Sequence, residues 1–517
     1  MSTNTKTMRI IILIALVLIQ VCIVKGQTSL KEINLENGEH VVGFKHYTAI
    51  DSTRAYRIHN EFNNQFINRP IPISIWYPAT STNNSSKELT VLEYLEILKE
   101  EEEWKNLPNE FLLDWFPYLW NTPENKAHLS EKVNAFSNLT FIDGEFPVVV
   151  YAPSYRASSI ENFALFEYLA SNGFIVISSP SRGTDTRWLE GGTTKDMETQ
   201  SRDVEFLLKE IHKYEYIDFD RIALIGFSFG GLANTVTVMK NKSISALVSL
   251  DGTERYNYPV LEKSPYFNLD MLNIPYVHFA QKEIPEEVLI SDKIPAELNY
   301  KFQMYDSIKF SNAYSYKFHD LTHSYFSSFG VLFANRDKRQ DKSDAEIMVS
   351  YKLLSEHTLQ FLNATLKNDE NAKRFIENSP EKNSFPESLI SKTMKKPDET
   401  EFDYKDFNDL ALNQDYQGLI PLYKKIVATH PKLQLEEGML NTLGLQLSFN
   451  TSKVDQGINV FLLALHIYPK SANLYDSLAE AYLYKKDFQN AISNYKKSLE
   501  LNPENQNAID RLKQLEK

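Results

Sequence analysis

The hexapeptide Gly226-Phe227-Ser228-Phe229-Gly230-Gly231 decides the fold prediction for this chain. It follows the apolar run 221–225, typical of a buried strand, and precedes a helical segment through Ala233 and Val236. A Gly-x-Ser-x-Gly pattern between a strand and a helix is typical of a sharp turn that exposes the serine hydroxyl. The flanking glycines let other backbone segments pass close to the serine. The motif makes Ser228 the candidate nucleophile, the alternative being a glycine-rich turn that only packs.

Strands and helices alternate on both sides of this motif, from about residue 40 to residue 365. Helical spacing occupies 164–172 and 199–214, while 72–77 alternates like a half-buried strand. The segment 146–152 is a short continuous apolar run, as expected of a strand buried on both faces, and 174–178 is the next buried strand. Further strands are predicted at 221–225, 245–250, 275–280 and 313–318. This alternation predicts an α/β fold, with a mostly parallel sheet covered by helices on both faces.

A catalytic serine needs a histidine to take its proton and an acid to orient that histidine. In a sheet of this kind both residues follow the serine along the chain, the acid first. Asp251 directly follows the strand 245–250 and is the favoured acid. Glu283, after the strand 275–280, is the alternative position. The non-catalytic interpretation of Asp251 is an ordinary turn aspartate before glycine.

Two histidines follow the strand 313–318 in the region where the base is expected. His323 lies deeper in the loop and is favoured over His319, which stands at the strand end and is the alternative. His357 falls in a helical segment, where a packing role is expected.

The tetrahedral intermediate of such a reaction needs two N–H donors for its oxyanion. One should be the backbone N–H of Phe229, directly after the nucleophile. The other should come from the loop 153–156, where we choose the N–H of Tyr155 because Pro153 has none. This chemistry requires no metal and no cofactor.

Several segments together resemble a known family. They are Arg69–Pro72 with Trp76–Ala79, the loop Tyr151–Ser159, the serine motif, the acid 23 residues after Ser228, and His323-Ser324-Tyr325-Phe326. Over about residues 40–366 the chain is similar to the platelet-activating-factor acetylhydrolase group and its dienelactone-hydrolase-like relatives. The resemblance implies an α/β-hydrolase fold acting on esters, with Ser228, Asp251 and His323 as catalytic triad. One departure is Pro153-Ser154, where the family has a His-Gly pair, so its phospholipid substrate is not carried over.

Residues 1–26 resemble an export signal, with basic Lys6 and Arg9 before the apolar run 10–24 and a small Gly26 at the expected cleavage site. The apolar run has 15 residues, whereas about 20 are needed to span a bilayer. An uncleaved anchor is the alternative. The sequence predicts export to a bacterial periplasm, cell surface or medium, with no integral membrane span after removal of the signal.

The only cysteine, Cys22, lies within this segment. A lipoprotein acceptor site is the alternative interpretation of this residue, although Gln20 and Val21 replace the small residues such a site needs. A mature chain without a thiol excludes disulfides, cysteine nucleophiles and thiolate metal sites.

The rest of the chain divides into segments of different patterning. Residues 27–366 form the predicted hydrolase domain, with an aromatic-rich insertion at about 80–143 that is either a lid or an extra helical layer. The polar, aperiodic stretch 367–400 predicts a linker. Residues 401–517 resemble tetratricopeptide repeats with a period near 34 residues, clearest at Tyr475, Leu478, Ala479, Tyr482, Phe488, Ala491, Tyr495, Ser498 and Pro503.

The sequence as a whole predicts an exported serine esterase acting on a small-molecule ester. A peptidase on the same fold, and a non-catalytic protein whose repeats carry the function, are the two rivals. The repeats are expected to bind a protein or peptide, to pack on the hydrolase domain, or to mediate self-association. A net charge of −13 argues against nucleic-acid binding, because a phosphate backbone attracts basic surfaces.

Overall fold

The computed structural model describes residues 28–59, 64–81, 86–333, 340–397, 402–450 and 452–516. The predicted export signal and Cys22 lie outside the described residues. Among the residues described, no helix is long and apolar enough to cross a membrane. The chain divides into two compact units, Met1–Asp398 and Glu399–Lys517.

The first unit is built on an 11-stranded sheet. Its strands are β1 (Val41–His59), β2 (Asn64–Ala79), β3 (Lys87–Thr90), β4 (Lys132–Ser137), β5 (Phe146–Ala152), β6 (Ile175–Ser178), β7 (Ile217–Phe227), β8 (Ala246–Leu250), β9 (Tyr276–Ala280), β10 (Ala313–Phe318) and β11 (Ile390–Lys395). They lie in the order β11-β10-β9-β8-β7-β5-β6-β2-β1-β4-β3. The six adjacent strands β10, β9, β8, β7, β5 and β6 run parallel, while β2 and β11 flank them in antiparallel orientation.

Helices cover both faces of this sheet. They are α1 (Leu30–Ile33), α2 (Val91–Leu95), α3 (Ile97–Glu101), α4 (Leu112–Trp115), α5 (Pro123–His128), α6 (Phe163–Ser171), α7 (Thr194–Glu210), α8 (Phe229–Lys240), α9 (Tyr258–Glu262), α10 (Glu286–Asp292), α11 (Gln303–Ser307), α12 (Ser328–Phe333), α13 (Asp344–Leu366) and α14 (Glu370–Glu377). Alternate residues of each central strand enter two separate cores, because neighbouring side chains of a strand point to opposite faces. One core contains α6 and α13, and the other contains α7 and α8. The predicted α/β class is confirmed.

Two sequence predictions about this unit need correction. The segment 80–143 is more than a covering layer, since its strands β3 and β4 extend the sheet beyond β1. The predicted linker 367–400 is also wrong, because it contains α14 and β11. Strand β11 pairs antiparallel with β10 and buries Ile390 completely. An edge strand with one buried face is mostly polar, so its sequence resembles a linker.

A shortened chain tests the corrected boundary. A chain ending at Asp398 should stay soluble and keep the melting temperature of the first unit. A chain ending at Thr365 should melt markedly lower or aggregate, because it exposes the edge of β10 and the apolar surface covered by Ile376 and Ile390. Thermal unfolding of the two purified proteins checks this. Equal melting temperatures would contradict it.

The second unit is helical where it is described. Its helices are α15 (Tyr404–Asn413), α16 (Leu419–Thr429), α17 (Glu437–Ser448), α18 (Val454–Ile467), α19 (Ala472–Tyr484), α20 (Phe488–Leu501) and α21 (Gln506–Leu515). A Cβ added at Gly444 would lie 2.7 Å from the Phe461 ring, and one at Gly457 would lie 2.2 Å from Ser448 Oγ. The two glycines therefore permit the close approach of α17 and α18 that their small size predicts.

Candidate active site

Ser228 occupies the turn between β7 and α8 with φ 53° and ψ −119°. This conformation is costly for a residue other than glycine and persists only where its surroundings hold it. Here the Ser228 N–H donates to Leu250 O at 3.1 Å, and the Ser228 carbonyl accepts from Thr253 N at 2.8 Å. A Cβ at Gly230 would lie 2.0 Å from Ala152 O, so that position must be glycine. The motif thus forms a strained elbow that presents the serine hydroxyl.

The structure brings Ser228, Asp251 and His323 together. His323 Nδ1 lies 2.6 Å from Asp251 Oδ2, and His323 Nε2 lies 2.9 Å from Ser228 Oγ. Because an ionised carboxylate can only accept, Nδ1 carries the ring proton and Nε2 accepts from the Ser228 hydroxyl. The three residues follow β7, β8 and β10, whose carboxyl ends meet at one edge of the parallel sheet.

The carboxylate of Asp251 is completely buried and fully engaged. Its Oδ1 accepts from Tyr256 Oη at 2.8 Å and from the Gln281 backbone N–H at 3.1 Å. Burial alone would raise the pKa of Asp251, but the hydrogen bond and charge of His323 outweigh it and hold that pKa below its usual value. Asp251 therefore stays ionised, and Tyr256 and Gln281 are supporting residues that the sequence analysis missed.

The alternative candidates lie elsewhere. His319 Nε2 is 3.0 Å from Ser391 Oγ on the edge strand β11. His357 is buried and donates from Nδ1 to Leu353 O at 2.7 Å, and burial lowers its pKa to about 4. Glu283 is exposed at the rim of a cavity beside His323. The structure records no hydrogen bond from any of the three to Ser228.

The loop after β5 is held by Glu161, another residue that the sequence analysis did not identify. Its buried carboxylate accepts from the Ser154 N–H at 2.9 Å, from the Ser154 hydroxyl, and from Tyr151 Oη at 3.2 Å. Both donors of Ser154 are therefore occupied, and Ser154 stands where the resembled family has glycine. No acceptor in the described part of the chain takes the N–H of Tyr155.

The N–H of Phe229 is also available, because the first four N–H groups of a helix have no partner within it. Phe229 is the first residue of α8. The rings of Phe229 and Tyr155 contact edge to face, with their centroids 5.8 Å apart. The two N–H groups chosen from the sequence as oxyanion donors thus belong to residues whose side chains are in contact, and one of these residues directly follows Ser228.

Glu161 also makes folding stability depend on pH. Burial raises its pKa from 4.5 to about 7. As the pH rises, Glu161 therefore ionises at a lower pH in the unfolded chain than in the folded one. Its contribution to the free energy of unfolding is full below about pH 4.5 and is lost as the pH rises through about 7. The difference between the two pKa values corresponds to roughly 3 kcal/mol.

We expect the free energy of unfolding to fall less between pH 5 and pH 8 in Glu161→Gln than in the unchanged chain, since glutamine cannot ionise. Urea unfolding at the two pH values measures this difference. Glu262→Gln, at an exposed position, should leave the pH dependence as it is. The same pH dependence of stability in Glu161→Gln and in the unchanged chain would show that Glu161 is not the group responsible.

A second buried polar cluster supports the turn that carries Asp251. Ser249 Oγ lies 3.0 Å from His278 Nδ1, accepts from the Gly252 N–H at 3.2 Å, and donates to Glu254. A Cβ at Gly252 would lie 2.1 Å from Glu254 Oε2. Glycine at this position therefore leaves room for the Glu254 carboxylate beneath the turn.

A cavity of about 290 Å³ opens beside His323. Its lining combines polar and charged side chains, among them Tyr256, Gln281, Lys282 and Glu283, with the apolar side chains of Ile284, Pro285 and Ile294. A mostly apolar pocket with a few polar groups is the usual form of a small-molecule site. The cavity can therefore hold one part of a substrate whose reacting carbon lies at Ser228.

Two comparisons with known proteins found similar chains. A model of the prolyl oligopeptidase family matches residues 161–264, which include Ser228 and Asp251. Among solved structures, the ferulic acid esterase from Streptomyces cinnamoneus is similar, with a TM-score of 0.46 and 16% identity over 70% of this chain and 99% of that chain. No curated protein matches the sequence. The family match and the site geometry together support a serine hydrolase of the α/β-hydrolase fold.

Proposed function

We propose that this chain is a serine esterase that acts through an acyl-enzyme on Ser228. The single observation that carries the proposal is the hydrogen-bonded series Ser228–His323–Asp251, with distances of 2.9 and 2.6 Å. A histidine in this position can take the serine proton during attack, and a buried carboxylate stabilises the resulting imidazolium. The resemblance to the platelet-activating-factor acetylhydrolase group adds an ester as the substrate class.

The reaction would proceed in two halves. Ser228 Oγ attacks the ester carbonyl while His323 Nε2 takes its proton, and the N–H groups of Phe229 and Tyr155 bind the oxyanion. His323 then gives the proton to the leaving alcohol, which departs as the carbonyl reforms. Water, deprotonated by His323, releases the acid and restores the serine.

A peptidase is the second candidate, because the prolyl oligopeptidase family model covers the segment that contains Ser228 and Asp251. Incubation with a series of 4-nitrophenyl esters and a matching series of peptidyl 4-nitroanilides separates the two. We expect turnover of esters and little or no turnover of anilides. Faster turnover of the anilides than of the esters would show that the protein is a peptidase and not an esterase.

We further propose that the second unit is a short array of tetratricopeptide-type repeats. The helices α15, α17, α19 and α21 begin at residues 404, 437, 472 and 506, intervals of 33, 35 and 34 residues. This spacing supports the period near 34 found in the sequence. Such an array is suited to binding a protein or peptide or to self-association. Export of the chain, inferred from residues 1–26, completes the proposal.

A further inference from the structure

Arg156 is a half-buried arginine directly after Tyr155, one of the two proposed oxyanion donors. Its φ of 60° lies in the left-handed region, which residues other than glycine rarely adopt. Consecutive Cα atoms are about 3.8 Å apart, so the backbone of Arg156 is adjacent to the proposed oxyanion site. The side chain therefore starts at the rim of the active site.

The guanidinium of Arg156 lies over an aromatic ring, and none of the described residues accepts a hydrogen bond from it. Its Cζ lies 4.7 Å from the centroid of the Trp188 ring. In the described ranges, no carboxylate, carbonyl or hydroxyl oxygen accepts from it. A cation over the face of an aromatic ring is attracted to it without a hydrogen bond, so the five N–H groups of the guanidinium are not used up by this contact. Arg156 thus presents a complete set of donors in a restrained orientation.

Nearby carboxylates are engaged with other partners. Arg187 Cζ lies 4.4 Å from the same Trp188 ring, and Arg187 pairs with Glu102 at 3.5 Å. Glu161 accepts both donors of Ser154. Two guanidinium groups thus lie close to one ring, and only one of them has a carboxylate in contact. Burial raises the pKa of the Glu102 carboxyl, and Arg156 is close enough for its charge to oppose that rise, but no ion pair joins the two residues in the described part of the chain. The N–H groups of Arg156 are therefore available to a ligand.

The segment that carries Trp188 also borders the site. The Gly191 N–H donates to Tyr155 Oη at 3.0 Å, and a Cβ at Gly192 would lie 3.7 Å from the Phe229 ring. Arg156 and Trp188 therefore lie on the side of Ser228 that carries the oxyanion donors, whereas the 290 Å³ cavity lies beside His323. An ester at Ser228 would extend toward both features.

We propose that Arg156 binds a carboxylate of the substrate, so that the enzyme prefers esters carrying one negative charge close to the scissile bond. This proposal rests on the proposed esterase function and specifies its substrate class. A guanidinium presents two parallel N–H groups that match the two oxygens of a carboxylate. One arginine without an ion-pair partner corresponds to one negative charge. Trp188 would position Arg156 and contact the carbon skeleton beside that charge.

Pairs of esters that differ in one charge test this preference. The carboxylate is placed on the acyl side in mono-4-nitrophenyl glutarate, whose neutral counterpart is 4-nitrophenyl pentanoate. It is placed on the alcohol side in 4-acetoxybenzoate, whose neutral counterpart is 4-acetoxybenzamide. We expect the unchanged enzyme to prefer the charged member of one pair, and that pair identifies the side on which the carboxylate lies. Preference for the neutral member of both pairs would overturn the proposal.

Variants of Arg156 then test the residue itself. Arg156→Gln should lower kcat/KM for the preferred charged ester by about 10- to 100-fold, the usual effect of losing a charged hydrogen-bond partner. It should leave kcat/KM for the neutral counterpart nearly unchanged. Arg156→Lys should fall between, because it keeps the charge and loses the paired N–H groups. Arg202→Gln, which removes an exposed arginine on α7, is the matched control. Equal losses on both esters would show a structural role instead.

A binding measurement separates failure of this proposal from failure of the esterase proposal. Glutarate and 4-hydroxybenzoate are titrated into Ser228→Ala while tryptophan fluorescence is followed. We expect one of them to bind, with a Kd raised about 10- to 100-fold in Ser228→Ala/Arg156→Gln. This result can appear even if no ester is turned over. Binding of neither acid, or an unchanged Kd in the double variant, would reject Arg156 as the carboxylate site.

Discussion

Replacing Ser228 with alanine should abolish labelling by a fluorophosphonate probe and lower ester turnover on the order of 10⁴-fold or more. The physical reason is that no other group can form the acyl-enzyme once the Ser228 hydroxyl is absent. The melting temperature should change little, because among the described residues the hydroxyl oxygen bonds only to the partly exposed His323. Labelling, ester turnover and thermal unfolding of the same preparation check the three parts.

The double variant Ser228→Ala/His323→Ala should be little worse than either single variant. Residues that act as a unit give non-additive losses, since removing one member already removes the proton transfer. His319→Ala is the matched control, because His319 bonds to Ser391 on the edge strand. Its turnover should stay close to that of the unchanged enzyme. Probe labelling of a serine other than Ser228 would refute the assignment.

The second large effect is expected for Asp251→Asn, which should slow ester turnover by about 10⁴-fold. An asparagine can offer its amide N–H to His323 Nδ1, which would shift the ring proton to Nε2. The nitrogen facing Ser228 could then no longer accept the serine proton. Asp251 lies in a completely buried site between Tyr256, Gln281 and His323, so water has no room there to replace the acceptor that Nδ1 has lost.

Glu283→Gln is the matched control for Asp251→Asn. Glu283 was the alternative acid in the sequence, and the structure places it exposed at the rim of the cavity. Its substitution should leave turnover close to that of the unchanged enzyme. The ratio of kcat values for the two variants is the measurement. A larger loss in Glu283→Gln than in Asp251→Asn would show that the acid follows β9 instead of β8.

The central sheet and the position of the candidate nucleophile could be predicted from sequence because their causes are local. A parallel strand buried on both faces must be apolar at nearly every position, as 146–152 and 221–225 are. The elbow needs glycines at fixed offsets from Ser228, since other backbone passes within contact distance of them. Asp251 could be placed as well, because parallel strands end at the same edge of the sheet.

Other features depend on partners far away in the chain, and the tertiary structure alone decided them. The segment 390–395 is polar enough to resemble a linker, and it becomes a strand because β10 offers a free edge. His319 and His323 stand four residues apart in the same loop, and only the packing of β10 against β11 shows which one reaches Ser228.

The same distinction applies to the residues around the triad. Ser228, Asp251 and His323 follow recognisable sequence patterns because a nucleophile, an acid and a base must follow particular strands. Glu161, Tyr256 and Arg156 belong to no such pattern, because each contributes through the direction and reach of its side chain. A buried carboxylate, a tyrosine hydroxyl and a stacked guanidinium gain their roles only from the groups around them. The sequence by itself thus determined which residues carry the proposed chemistry, while the tertiary structure decided how they are oriented, because orientation is set by contacts between residues distant in the chain.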